Sequence, residues 1–132
     1  EFGIVRAYLN DDRLDDNLRN YLIASTRMTY ALYGVADISV HAGGWGEAEV
    51  TDLCTTYFGE AGGSSYGSSV YQMVLKNPGK YAAAAIDYLQ ITELESTMAA
   101  NQGENYSEAN LLDLLFNQGP ANFRVLRSWI GL

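Results

Sequence analysis

Histidine occurs once in this sequence, at His41, and cysteine once, at Cys54. One histidine cannot supply the histidine pair that zinc enzymes use, and neither a His-Glu-x-x-His nor a Cys-x-x-Cys spacing is present. The residues therefore predict no metal site within the chain. A lone cysteine forms no internal disulfide, so the fold is not expected to depend on an oxidising compartment. Basic residues are also scarce. Eight Lys plus Arg face sixteen Asp plus Glu, a formal charge of −8, and such a field repels phosphate backbones and anionic membrane surfaces. Nucleic acid is not an expected partner. No apolar run is long enough for a membrane span, and no basic segment followed by an apolar run marks a signal peptide at the start.

What is present is apolar and aromatic. Hydrophobic residues make up 48% of the 132 positions, with ten tyrosines among them; this is too much apolar material for a disordered chain and suffices for one core of several helices. Residues 1–132 are expected to form a single soluble helical domain. The chain enters helical sequence within about ten residues and has no initiating Met, as expected of a segment cut from a longer protein. Such a segment is expected to expose an apolar face that the rest covers.

From Asp12 to about Val35, Leu14, Leu18, Tyr21, Leu22, Ser25, Leu32 and Val35 recur at helical spacing, which predicts a long amphipathic helix. Asp11, Asp12, Asp15 and Asp16 crowd its first turns, where the helix dipole favours negative charge. A turn is expected at Gly43-Gly44. Val50, Leu53, Cys54, Tyr57 and Phe58 then fall on one stripe of a second helix. Residues 59–69 are rich in Gly and Ser but lack the Gly-Lys-Ser/Thr ending of a phosphate-binding loop, and they read as a loop or a loose helix start. A short helix follows over Val70 to Lys76. Asn77-Pro78-Gly79 predicts a tight helix-to-helix corner, because proline cannot continue one helix but suits the start of the next. From Gly79 to about Ala100 the residues are apolar around more than half the circumference, which predicts a central helix. Gly103 should stop it and Ser107 cap the next, whose buried face is Leu111, Leu112, Leu114, Leu115 and Phe116. After Gly119-Pro120 a last helix carries Phe123, Leu126, Trp129 and Ile130. Six helical segments with no strand pattern make an all-α helical bundle.

The candidates for chemistry are few. A Ser-His-Asp arrangement would have to use His41 and Asp37, and no Gly-x-Ser-x-Gly elbow supports it. One helical turn apart, Asp37 and His41 are either a structural pair or an imidazole oriented to donate a hydrogen bond to a substrate or oxyanion. Cys54 sits on an apolar stripe without a basic neighbour in sequence, which predicts a structural role. Tyr81 and Tyr88, two turns apart, line either a core or a peptide groove.

Three separated motifs, Asp37-x-x-x-His41-x-x-Gly44-Trp45, Asn77-Pro78-Gly79-Lys80-Tyr81 and Gly119-Pro120, have an order and spacing that resembles the C-terminal part of the bacterial family called domain of unknown function 885. Members of that family look like zinc-dependent peptidases of the gluzincin type, and the resemblance runs from about Leu14 to Ile130. It implies the C-terminal portion of a larger helical metallopeptidase-like fold, with a zinc-binding helix on a missing N-terminal part of the same protein. On that reading zinc belongs to the parent protein and not to this chain. Asp37, His41, Gly44 and Trp45 would belong to the opposite wall of the cleft, with Trp45, Tyr81 and Tyr88 against a peptide substrate. Exported lipoproteins are common in the family, so the resemblance implies a cell-envelope or extracellular location.

The sequence departs from the family pattern at two places. A tyrosine and a glycine common after the Pro-Gly motif are here Ala84 and Asp87, and a histidine common before Asp113 is Leu112. An alanine offers no donor to a tetrahedral oxyanion. Two functional expectations follow: the substrate-cleft segment of a zinc peptidase, not catalytic alone, or a non-catalytic helical module that binds peptides or envelope polymers.

Overall fold

The computed structural model describes residues 2–117 and 122–130, and every regular element among them is helical. In chain order these are α1 (Phe2–Leu9), α2 (Asp16–His41), α3 (Glu47–Leu75), α4 (Lys80–Gln102), α5 (Glu108–Asn117) and α6 (Phe123–Trp129), with a 3-10 turn at Gly103–Asn105 between α4 and α5. The all-α expectation holds, and no helix among the described residues is long and apolar enough to cross a membrane. The Gly119-Pro120 motif lies outside the described residues.

The long first helix of the sequence begins later and ends later than its periodicity suggests. Asp15 caps α2 by accepting a hydrogen bond from the Leu18 amide at 3.0 Å, and Asp16 in the first turn holds Arg19. Asp11 is used differently: the Arg13 side chain and amide hydrogen-bond its carboxylate and hold its pKa down at about 2. The helix continues through Asp37 and Val40 because nothing breaks it before Gly43 and Gly44, where φ turns to 71°. A short helix precedes it, α1, whose Val5 is buried, as is Ile23 of α2.

Of residues 59–69 all but Gly59 are helical, and α3 is in fact a hairpin. Gly59 takes φ 75° and ψ 169°, a backbone open to glycine, and separates two arms, residues 47–58 and 60–75. The arms run back along each other, since Gly63 faces Thr55 and Gly67 faces Thr51. A Cβ on Gly63 would lie 2.3 Å from the Thr55 Cα, and one on Gly67 2.5 Å from the Thr51 Cα. Only hydrogen fits there. The small residues recur every fourth position, Thr51, Thr55, Gly59, Gly63 and Gly67, which lets two backbones approach as closely as small-residue helix pairs do.

The chain divides into two compact units between Tyr88 and Leu89, inside α4. The core of the first is Leu32, Ala36, Val50, Cys54, Val70 and Val74, with Tyr33, Trp45, Phe58, Tyr66 and Tyr81 packed against it. In the second, Leu94 and Met98 of α4, Leu111 of α5 and Leu126 of α6 are buried. Here α4 differs from its expected central place: Ile86 and Leu89 are exposed. Alanines 82–85 make its start apolar without giving it bulk that must be buried.

The hairpin contact makes a paired prediction. Gly63→Ala gains helix propensity of up to about 1 kcal/mol but drives a methyl into the Thr55 backbone, a clash of the kind that costs roughly 1–3 kcal/mol, so urea denaturation should show net loss. Gly62→Ala meets nothing nearer than the Phe58 Cβ at 3.8 Å and should stabilise. Equal effects of the two substitutions would contradict the hairpin.

Candidate functional site

A helix leaves its first four amides without partners inside the helix. At the start of α4 those amides belong to Gly79, Lys80, Tyr81 and Ala82, since the Ala83 amide already bonds to the Gly79 carbonyl at 2.9 Å. The Lys80 amide donates to the Asn77 carbonyl across the corner at 3.2 Å. The other three donate to one side chain, the carboxylate of Asp37: Gly79 to Oδ1 at 2.9 Å, Tyr81 to Oδ2 at 2.9 Å and Ala82 to Oδ2 at 3.0 Å. All four are thereby satisfied.

Asp37 is fully buried, and a buried carboxylate is costly unless its oxygens are paired. Three charge-assisted bonds and the positive end of the α4 dipole supply that pairing. An N-cap ordinarily comes from the residue next to the helix; this one comes from α2, 42 to 45 positions away. Two glycines allow it. Gly79 takes φ 75°, and a Cβ at Gly34 would lie 2.6 Å from the Ala85 Cβ, so α2 and the start of α4 touch nearly backbone to backbone.

His41 stands beside this cap. Its Nε2 lies 3.1 Å from the Val74 carbonyl oxygen and 3.5 Å from Asp37 Oδ1. A carbonyl only accepts, so Nε2 carries the proton and donates to Val74. The ring nitrogen facing Asp37 is therefore the one tied to the end of α3. Asp37 and His41 are brought together, as their spacing predicts, but the carboxylate is engaged by three amides. Trp45 packs on the core, and its amide bonds to the Ser39 carbonyl at 3.0 Å after the Gly44 turn.

Tyr81 connects the cap to a row of rings. Its ring meets Tyr33 edge-on at 5.6 Å between centroids. The Tyr33 and Tyr66 hydroxyls share a hydrogen bond at 2.5 Å, and Tyr66 packs edge-on against Phe58 at 5.1 Å. The row ends in an open groove of about 480 Å³ lined by Thr29, Phe58, Gly62, Ser65, Tyr66 and Ser69. Tyr88 stands apart from it, its hydroxyl accepting from Arg27 Nε at 2.7 Å. Sequence reasoning missed Tyr33, Tyr66 and the groove; the fourfold spacing of small residues from Thr51 to Gly67 is the signal that would have placed Tyr66 on a folded arm.

Of the departures from the family pattern, Ala84 is half-buried on α4, Asp87 is exposed, and Leu112 is half-buried on α5. Cys54 is fully buried in the core and burial pushes its thiol pKa up, which disfavours the reactive thiolate. No three His, Cys, Asp or Glu side chains among the described residues stand together as a metal site.

Two outcomes test this geometry. Asp37→Ala strands three amides and should cost roughly 3 kcal/mol or more of unfolding free energy, with Asp37→Asn losing less because an amide oxygen still accepts. Loss no larger than that of an exposed aspartate such as Asp87 would contradict it. Burial, then the bond to Tyr66, pushes the Tyr33 pKa up from its ordinary value. The folded protein therefore holds this proton more tightly, and the stabilisation is whole below the ordinary value of about 10 and lost as pH rises above it. Urea midpoints should fall in that alkaline range, and Tyr33→Phe should flatten the fall.

No protein-family model, no curated protein and no solved structure matches the chain.

Proposed function

We propose that this chain is a non-catalytic, substrate-holding segment, the helical wall of a peptide cleft in a zinc-dependent peptidase of the domain of unknown function 885 type. The reading rests on the motif resemblance for its family. The observation that supports it is that two motifs far apart in sequence, Asp37 to Trp45 and Asn77 to Tyr81, meet through the Asp37 cap. From there the rings of Tyr81, Tyr33 and Tyr66 lead to the groove.

On this reading the motif residues act as builders. They fix the corner from which the tyrosine row is hung, and the groove takes the peptide. Thr29, Ser65, Ser69 and Tyr66 offer hydroxyls that donate to or accept from a peptide backbone, while Phe58 and the Tyr66 ring offer apolar faces. The bond-breaking groups and the zinc belong to the parent protein, as the resemblance implies.

A second reading is favoured by the groove lying wholly within this chain. It is a non-catalytic helical module that binds peptides or envelope polymers without hydrolysing them, consistent with the alanine at Ala84 and the leucine at Leu112.

The test is peptide hydrolysis by the full natural gene product, with and without chelator, in native form and with Ser65→Arg, which fills the groove from an exposed position. The cleft reading expects chelator-sensitive hydrolysis and a KM raised roughly tenfold or more by the substitution at unchanged melting temperature. Absence of hydrolysis across a broad peptide panel in the presence of zinc overturns the peptidase reading. Hydrolysis with an unchanged KM overturns the assignment of the groove.

A further inference from the structure

The outer side of α2 carries a second apolar stripe that the core does not use. Tyr21, Ala24, Met28, Ala31, Val35 and Ile38 follow one another at steps of three, four, three, four and three, the a and d positions of a heptad repeat. At about 100° per residue this stripe points away from Tyr33, Asp37 and Val40. All six residues are exposed, with Tyr21 at 68%, Ile38 at 49% and Val35 at 46% of their full accessibility. A helix that is apolar on both faces is normally covered on both.

We propose that this stripe is a self-association surface and that its occupant is the α2 helix of a second copy of the chain, running antiparallel. Two observations select that partner. The first is the order of large and small side chains. In an antiparallel pair the a position of one helix meets the d position of the other, which places Met28 opposite the partner's Ala31, Val35 opposite the partner's Ala24, and Tyr21 opposite the partner's Ile38. Each alanine then receives a bulky neighbour. A parallel pair would set alanine against alanine at both small positions and leave voids. The second observation is charge. The chain carries sixteen acidic residues, yet between Asp16 and Asp37 α2 carries none, only Arg19 and Arg27. Arg19 is held by Asp16 and Arg27 by Tyr88. Two copies of net charge −8 therefore meet here without bringing carboxylates together.

The stripe is about 26 Å long, and a contact of that size between two copies lies near the ~1,000 Å² lower bound of specific interfaces. The pair should dissociate on dilution. Its existence does not depend on the peptidase reading.

Sedimentation velocity over a concentration series of the chain is the test. A monomer–dimer equilibrium is expected, and Val35→Glu should weaken it at least roughly tenfold with an unchanged circular dichroism spectrum, since Val35 is exposed. Direction is read independently by mixing Met28→Cys with Ala31→Cys protein under mild oxidation: antiparallel pairing gives chiefly the mixed disulfide. A chain that stays monomeric throughout the series overturns the proposal, as does a dimer indifferent to Val35→Glu. Equal yields of mixed and like-with-like disulfides overturn the antiparallel arrangement.

Discussion

The Asp37 carboxylate is the one charge fully buried among the described residues, and the first unit is arranged around keeping it paired. An unpaired carboxylate in such a place would destabilise its surroundings. Three amides at the head of α4 prevent this. The requirement propagates: α4 must start where Asp37 reaches it, so the Asn77-Pro78-Gly79 corner must be tight, and Gly34 must let the helices close. His41 adds a tie from the same turn of α2 to the end of α3. Two side chains one helical turn apart, Asp37 and His41, thereby join three helices at the point where the chain changes direction.

The α3 hairpin is the second constraint, and it acts through absence of side chain. Gly63 and Gly67 bring the second arm against Thr55 and Thr51, which puts Tyr66 within reach of Tyr33. Cap and hairpin position opposite ends of one aromatic row. The proposed function uses this arrangement: fixed corners at both ends of the row and, at its hairpin end, a groove with hydroxyls and ring faces. A substrate-holding wall needs such rigidity, because binding groups held by packing lose little freedom when a ligand arrives.

Periodicity made most of the helices legible. Leu32 and its neighbours in α2, Val50 and Cys54 in α3, and Leu111 and Leu126 near the end all fall on stripes readable from spacing. The Gly43-Gly44 turn and the Asn77 corner were readable from glycine and proline chemistry. What was not readable was pairing at long range. Asp37 and His41 stood out as a local pair, but nothing local tells that the partners of Asp37 are backbone amides beyond Pro78. Residues 59–69 read as a loop or a loose helix start because glycine and serine are poor helix formers; close packing against Thr51 and Thr55 overrides that preference. The outer stripe of α2 was hidden for another reason, since two of its members, Tyr21 and Val35, were absorbed into the expected core face. The start of α4 misled in the opposite direction, because a run of alanine looks buried by composition and demands little burial.

Amide hydrogen exchange at residues 79, 81 and 82 tests the central claim most directly. A glycine after a proline in a surface corner ordinarily exchanges fast. If Asp37 holds these amides as described, all three should be protected to the same degree as buried amides of α2 and should open only with the first unit as a whole. Rapid exchange at Gly79, Tyr81 and Ala82, with α2 still protected, would contradict it.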